Sequence, residues 1–317
     1  MITLKQMAYF EALARRLHFG QAAQDVHVSQ PALSAQIAEL ERRLGCVLIE
    51  RNRGAVVLTE TGRQLLPGFR RVLDEVRMIE EQAREEYGVL SGTLKLGLIP
   101  TLAPYLLPSL APILTERFPK LEFQVREAVT ETLVQQLHAG SLDAIVAALP
   151  IKEPWIAHTE LFADRFYMVA SESDDVLVSP LNQHRIALDR LLLLEEGHCL
   201  RDQALALCED RPAANLVNYG ATSLTTLLQM VASGMGRTLL PGIAVPAESV
   251  KRGDIRIVEF APPVPERSIA LFYRRGTHRR ADFEALSDLI REVARNIGKE
   301  TAQILSERNR QTEPMIR

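Results

Sequence analysis

Cysteine is scarce. The 317 residues hold three, Cys46, Cys199 and Cys208. So small and odd a number excludes a disulfide scaffold and leaves buried or reactive thiols in a reducing compartment. Long apolar runs are missing too, and none approaches the ~18–20 residues of a membrane helix. The N-terminus, MITLKQMAYFEALARR, carries polar residues at helical spacing and no small-residue cleavage site. A cytoplasmic chain with no membrane partner is therefore expected. Charge of one sign is lacking: 37 Lys and Arg against 40 Asp and Glu give −3, so any nucleic-acid contact must come from a local patch. No G-x-S-x-G elbow, P-loop or dinucleotide fingerprint supports an enzyme. The histidines are scattered, and no His/Cys/Asp spacing suggests a metal; neither metal nor cofactor is expected. Repeats and low-complexity tracts are absent. What remains is ordinary globular composition, 47% hydrophobic and 24% charged, in a length suited to two or three domains.

The pattern divides the chain near residue 90. Residues 1–58 read as helix, short helix, turn, helix and a two-stranded wing. The first helix, about Leu4 to Leu17, puts Met7, Phe10, Leu13, Ala14 and Leu17 on one face. Gly20 offers a break before a short helix at Gln21–Val26. Ser29 is an N-cap, with Pro31 in the first turn, where its missing N–H costs little. Leu33, Ile37, Leu40 and Leu44 form a buried stripe, and Gly45 ends the helix. Val47–Ile49 and Ala55–Leu58 flank the turn Arg51-Asn52-Arg53-Gly54. Thr59 caps a further helix with Pro67 inside it, to about residue 90. There Leu65, Phe69, Val72, Val76 and Ile79 recur at the 3.5-residue period of a dimerisation seam. The competing reading is a solvated helix packed on its own domain.

The helix opened by Ser29 presents Gln30, Pro31, Ser34 and Ala35 near its N-terminal end. In a helix-turn-helix that end enters the major groove, where Gln reads adenine and Ser reaches a base or phosphate. Arg51 and Arg53 on the wing can hold backbone phosphates. Residues 1–60 carry seven Lys and Arg against six Asp and Glu. One copy should therefore bind DNA weakly, and a dimer doubles the site.

Beyond Thr93, strand candidates alternate with helices. The strands are Leu94–Ile99, Glu122–Glu127, Asp143–Ala148, Arg165–Ala170, Leu191–Leu194, Leu216–Tyr219, Ile255–Phe260 and Ile269–Arg274. Helices include Tyr105–Arg117, Leu133–Ala139, Ser223–Ser233 and Ala281–Asn296. This predicts doubly wound α/β layers in two subdomains with a cleft, and a polar, disordered tail at 301–317. Ligands of such sheets sit at the carboxyl ends of strands, beside helix N-termini. Thr101, Thr130, Cys199 and Ser223 each follow a predicted strand. Cys199 starts a helix beside His198 and Arg201, which predicts a lowered thiol pKa. Such a thiolate can attack the O–O bond of a peroxide. Thr101 and Thr130 can hold the peroxide oxygens, and Asp202 can orient water or the helix start. Cys208 lies nine residues on. In a continuous helix that is ~13.5 Å of rise, whereas a disulfide needs Cα atoms within ~7 Å, so helix and bond exclude each other. The plain alternative is two buried thiols, and Cys46 beside Val47–Ile49 reads as buried and structural.

Three runs carry a family resemblance: Phe10-Glu11-Ala12-Leu13-Ala14, Val28-Ser29-Gln30-Pro31-Ala32-Leu33-Ser34, and Leu58-Thr59-Glu60-Thr61-Gly62. The chain resembles the LysR-type transcriptional regulators along nearly its whole length. Gly197-His198-Cys199-Leu200-Arg201-Asp202 with Cys208, Gly97-Leu98-Ile99-Pro100-Thr101 and Glu127-Ala128-Val129-Thr130 are similar to the OxyR peroxide-sensing branch. The resemblance implies a winged helix-turn-helix (1–58), a linker and dimerisation helix (59–90) and an α/β regulatory domain like the periplasmic binding proteins (91–300). That domain would comprise subdomain I (91–162 and 266–300) and subdomain II (163–265). A homotetramer (dimer of dimers) on promoter DNA, RNA polymerase as a further partner and hydrogen peroxide as signal are implied with it. Cys199 would react with peroxide and Cys208 would resolve it as a disulfide. Thr101, Thr130, His198, Arg201 and Asp202 match peroxide-pocket positions. Arg267 falls near a family arginine beside the thiolate and is left off that set. Gly20-Gln21 and residues 209–215 depart from the family pattern. Two rivals are a metabolite sensor using the same cleft and a thiol peroxidase.

Overall fold

The structure, a computed structural model, describes residues 1–52, 55–83, 88–174, 179–182, 191–207, 217–249, 254–277 and 279–312. They fall into two compact units, Met1–Tyr87 with Gln135–Leu142, and Gly88–Val134 with Asp143–Arg317.

In the first unit α1 (Leu4–Arg16) opens with a capping box: Thr3 Oγ1 accepts from the Gln6 N–H, and Gln6 Oε1 accepts from the Thr3 N–H. The second helix, α2, spans Phe19–Asp25 and so starts earlier than the pattern predicts. His18 is its cap, because the His18 Nδ1 accepts from the Gln21 N–H. Gly20 lies inside the first turn, where a Cβ would come within 3.1 Å of the His18 ring. Next, α3 (Gln30–Leu44) begins at Ser29, whose hydroxyl accepts from the Ala32 N–H, and ends at Gly45 with φ +70°. Strands β1 (Ile49–Asn52) and β2 (Ala55–Leu58) pair antiparallel as the wing. Thr59 then caps α4 (Glu60–Ala83) by accepting from the Gly62 N–H, and Pro67 sits in α4 without ending it. Phe10, Leu13, Leu33, Ile37, Leu40, Leu48 and Phe69 form one core.

The seam predicted along α4 divides in two. Phe69 is buried in its own domain, edge-to-face with Phe10 at 5.6 Å, and Leu65 packs partly against the same core. Phe69 is therefore not available to a partner helix. Val76 is half-buried, and Val72 and Ile79 are exposed.

The second unit is built on a seven-stranded mixed sheet. Its strands are β3 (Gly92–Leu98), β4 (Leu121–Glu127), β5 (Ala144–Ala148), β6 (Ile156–Ser171), β9 (Thr238–Pro241), β10 (Ile255–Val258) and β11 (Glu266–Arg274). Shorter β7 (Leu192–Leu194) and β8 (Val217–Ala221) pair parallel to each other. Its helices are α5 (Ala103–Arg117), α6 (Thr130–His138), α7 (Cys199–Ala206), α8 (Leu224–Ala232), α9 (Val245–Ser249) and α10 (Arg280–Thr312). Parallel β3, β4 and β5 alternate with α5 and α6, the doubly wound pattern. Strand β6 serves two neighbourhoods. Its first part pairs with β11, and Phe166 onward pairs with β9 and β10. The sequence shows only the second, apolar part; the first alternates buried and exposed residues.

Over 301–312 the structure corrects the expected disordered tail; 313–317 lie outside the described residues. Helix α10 continues to Thr312, with Ile297, Thr301 and Leu305 buried at four-residue spacing. Thr301 donates to the Gly242 carbonyl, and Arg308 donates to the Ser249 and Ile255 carbonyls. These ties account for order in so polar a segment.

Candidate functional site

The strand ends after β3, β4 and β7 meet at one small cavity. It is lined by Ile99, Pro100, Thr101, Val129, Thr130, Gly197, His198 and Cys199, with about 160 Å³ of empty space that is partly open to solvent. Metabolite-sized pockets run to ~300–1,000 Å³, so this space is too small for a metabolite-sized ligand. Gly197, with φ +91°, turns the chain between β7 and α7 and delivers Cys199 to the helix start. Three predicted positions, Thr101, Thr130 and His198, thus converge on the thiol. Ser223 does not join them: its hydroxyl caps α8, accepting from the Thr226 N–H.

Two buried polar atoms among the cavity residues have no hydrogen-bond partner, Thr130 Oγ1 and His198 Nδ1. Buried polar groups are nearly always paired, so these mark capacity for a ligand. Burial pushes the His198 pKa down, opposed by Glu195, which keeps the ring neutral near pH 7.

The thiol contradicts the expected lowered pKa. Burial pushes Cys199 up from the ordinary range, and Asp202 adds to this. Arg267, the Leu200 backbone and the Thr101 hydroxyl favour the thiolate, but burial outweighs them. Arg201 is turned away and donates to the Leu194 carbonyl at 3.1 Å, and Asp202 is exposed on the first turn of α7; neither lines the cavity.

The cation near the sulfur comes instead from β11. Arg267 is buried; its Nη1 donates to Thr101 Oγ1 at 2.8 Å and its Nη2 to the Thr101 carbonyl at 3.3 Å. Its Nε and Nη2 donate to Asp164 Oδ2 at 3.0 and 2.9 Å. Asp164 lies directly opposite Arg267 in the β6–β11 ladder. Sequence reasoning did not find Asp164, because a pair 103 residues apart has no local signal. Cys208 lies outside the described residues; Cys199 and Cys46 are free thiols.

In the first unit Gln30, Pro31 and Ala35 are exposed on α3 and Ser34 is half-buried. Arg51 is the third residue of β1; Arg53 lies outside the described residues. Arg15 and Arg16 pair with Asp25, and Arg42 and Arg43 pair with Glu39. Those two arginines hold the Glu39 carboxyl down to about 2. No metal-ligand cluster occurs among the described residues.

A family model described as "Bacterial regulatory helix-turn-helix protein, lysR family" matches residues 4–63, and "LysR substrate binding domain" matches residues 88–295. The chain is 41% identical over 292 residues to the Escherichia coli K12 "DNA-binding transcriptional dual regulator OxyR", covering 92% of this chain and 95% of that one. Among solved structures, a Cys-to-Asp variant of full-length OxyR from Pseudomonas aeruginosa superposes with TM-score 0.78 at 36% identity, covering 92% of this chain and 98% of that one. A Cys-to-Ser variant of Corynebacterium glutamicum OxyR with H2O2 bound gives TM-score 0.67 at 33% identity, covering 96% of each.

Proposed function

As the chain belongs to the OxyR branch of the LysR family of transcriptional regulators, we propose that it is a promoter-binding regulator switched by hydrogen peroxide at Cys199. The Cys199 thiolate attacks one peroxide oxygen. An S–O bond forms, the O–O bond breaks, and hydroxide leaves and takes up a proton as water. The cysteine is then a sulfenic acid. The Cys208 thiolate attacks that sulfur, an S–S bond replaces the S–O bond, and the second oxygen departs as water. Peroxide and two thiols thus yield a disulfide and two waters, with no cofactor.

The observation that carries this reading is the pair of unpartnered atoms, Thr130 Oγ1 and His198 Nδ1, among the residues that enclose the cavity with Cys199. Peroxide offers two O–H donors and two acceptor oxygens, enough for both atoms and for the Thr101 hydroxyl. The pKa, raised by burial, keeps most of the thiol protonated; the thiolate fraction is the reactive species. Closing the disulfide needs a change of shape. Leu207 ends α7 about 12 Å of helical rise beyond Cys199, whereas bonded cysteines need Cα atoms within ~7 Å. Helix α7 must therefore unwind, and that rearrangement carries the signal.

On the DNA side, α3 enters the major groove with Gln30, Pro31 and Ser34 at the bases, while Arg51 and Arg53 of the wing hold phosphates. The exposed Val72 and Ile79, with Val76, join two copies along α4, and two such dimers form the tetramer that presents the promoter to RNA polymerase. Residues 1–58, 59–90 and 91–300 are the DNA-binding, linker and regulatory segments.

Stopped-flow oxidation of the Thr130→Val chain tests the pocket. Loss of a peroxide-holding hydroxyl is expected to slow Cys199 oxidation by about 10- to 100-fold, by removing one positioned hydrogen bond. An unchanged rate would remove Thr130 from the pocket.

A further inference from the structure

Behind the cavity, a chain of contacts runs from Cys199 through Thr101 and Arg267 to Asp164. Thr101, Arg267 and Asp164 are buried and Cys199 is half-buried. Thr101 Oγ1 already accepts a hydrogen bond from Arg267, so its single proton is left for the sulfur. Arg267 is aimed by Asp164, whose other oxygen, Oδ1, accepts from the Ile243 N–H at 3.0 Å. A Cβ on Gly242 would come within 3.3 Å of that same oxygen, so the seat of the carboxylate is closely built. The guanidinium also lies 5.8 Å from the Phe166 ring centre.

We propose that Asp164 is a positioning residue that restrains Cys199: it fixes Arg267 on Thr101 and neutralises the guanidinium charge that the thiolate would otherwise draw on. The inference rests on reading Cys199 as the reacting thiol. Buried Arg267 has two candidate anions, a permanent one on Asp164 and a conditional one on Cys199. Where Asp164 already compensates the cation, ionising the thiol yields less stabilisation. The other charged groups around the thiol are few. Glu195 and His198 come from the turn before α7, and Arg201 and Asp202 lie on α7 itself. Glu131 is exposed on the first turn of α6, and Arg165 and Glu266, which flank the Asp164–Arg267 pair, are exposed. None of them is held against Arg267 as Asp164 is. The restraint keeps the sensor mostly in its thiol form until peroxide arrives.

The test is the pH profile of Cys199 alkylation by iodoacetamide in the full-length reduced chain, read on the Cys199 peptide by mass spectrometry. In Asp164→Asn the cation loses its fixed partner. The midpoint should move to lower pH, with labelling at pH 7 roughly three- to ten-fold faster. Asp164→Glu keeps the charge and should label like the wild type. An unchanged or higher midpoint in a folded Asp164→Asn protein overturns the proposal, and so does an equal shift in both variants, which would mark a packing effect. Should Asp164→Asn not fold, the double variant Asp164→Asn/Arg267→Met, which leaves neither charge buried alone, carries the test. Its midpoint should stay close to the wild type, because a compensated pair contributes little at the thiol; a midpoint well above the wild type would show the guanidinium acting uncompensated and overturns the proposal. Alkylation needs no peroxide. A wild-type Cys199 that ignores peroxide would therefore refute the sensor reading, while the Asp164 outcome still judges this inference.

Discussion

At Cys199 burial and charge oppose each other, and burial wins. The helix start, His198 and Arg201 predict a low pKa from sequence, but His198 is held neutral and Arg201 is spent on the Leu194 carbonyl. The raised folded pKa has a consequence for stability. The folded chain holds the thiol proton more tightly than the unfolded chain does. The stability linked to it is complete below the ordinary thiol range and is lost as pH rises from there through the raised folded value. Thermal melts in that alkaline window should show a decline in the wild type that Cys199→Ser lacks. Thr101→Val should raise the midpoint of Cys199 labelling further, because it removes the hydroxyl bond to sulfur and the acceptor for Arg267. Thr101, Thr130 and Cys199 were legible because each follows a predicted strand, and strand ends collect ligands, with His198 beside the thiol in sequence. Asp164 was not, and Arg267 was suggested only by the family resemblance, because their pairing depends on the register of β6 against β11, which nothing near either residue encodes.

Periodicity located most elements and failed where one stripe serves two purposes. In α4 a single heptad pattern runs from Leu65 to Ile79, yet its first part belongs to the core of its own domain. Phe69→Ala should cost the DNA-binding domain about 3–5 kcal/mol, read by denaturant unfolding, as deletion of a buried aromatic does. Ile79→Asp should leave that stability unchanged and weaken self-association, read by analytical ultracentrifugation. In α10 the stripe Ile297, Thr301, Leu305 is thin and embedded in polar residues, so composition reads it as tail. Burial of Leu305 and the two carbonyls held by Arg308 hold the helix in place. Leu305→Ala should destabilise the second unit by about 2–5 kcal/mol in thermal or denaturant melts; no loss would return the segment to the tail first expected.

Over the whole molecule, a chain of net charge −3 is asked to bind DNA. Four of the seven basic residues in the first 60 are engaged with Asp25 and Glu39. That leaves Lys5, Arg51 and Arg53 of the seven, so under the proposed assembly the affinity would come from several copies acting together. The α/β alternation was legible because amphipathic helices and buried strands have different periods, whereas the regulatory class came from the family resemblance carried by runs such as Val28-Ser29-Gln30-Pro31. The sharing of β6 between β11 on one side and β9 and β10 on the other was not, because both parts lie in one unbroken strand. The central claim is that Cys199 and Cys208 form a peroxide switch, and a residue-by-residue thiol count by mass spectrometry tests it most directly. After a brief, near-stoichiometric dose of hydrogen peroxide, the account predicts that Cys199 and Cys208 are lost together as one cross-linked peptide pair while Cys46 stays free. A chain in which Cys199 remains a free thiol after that dose would contradict it.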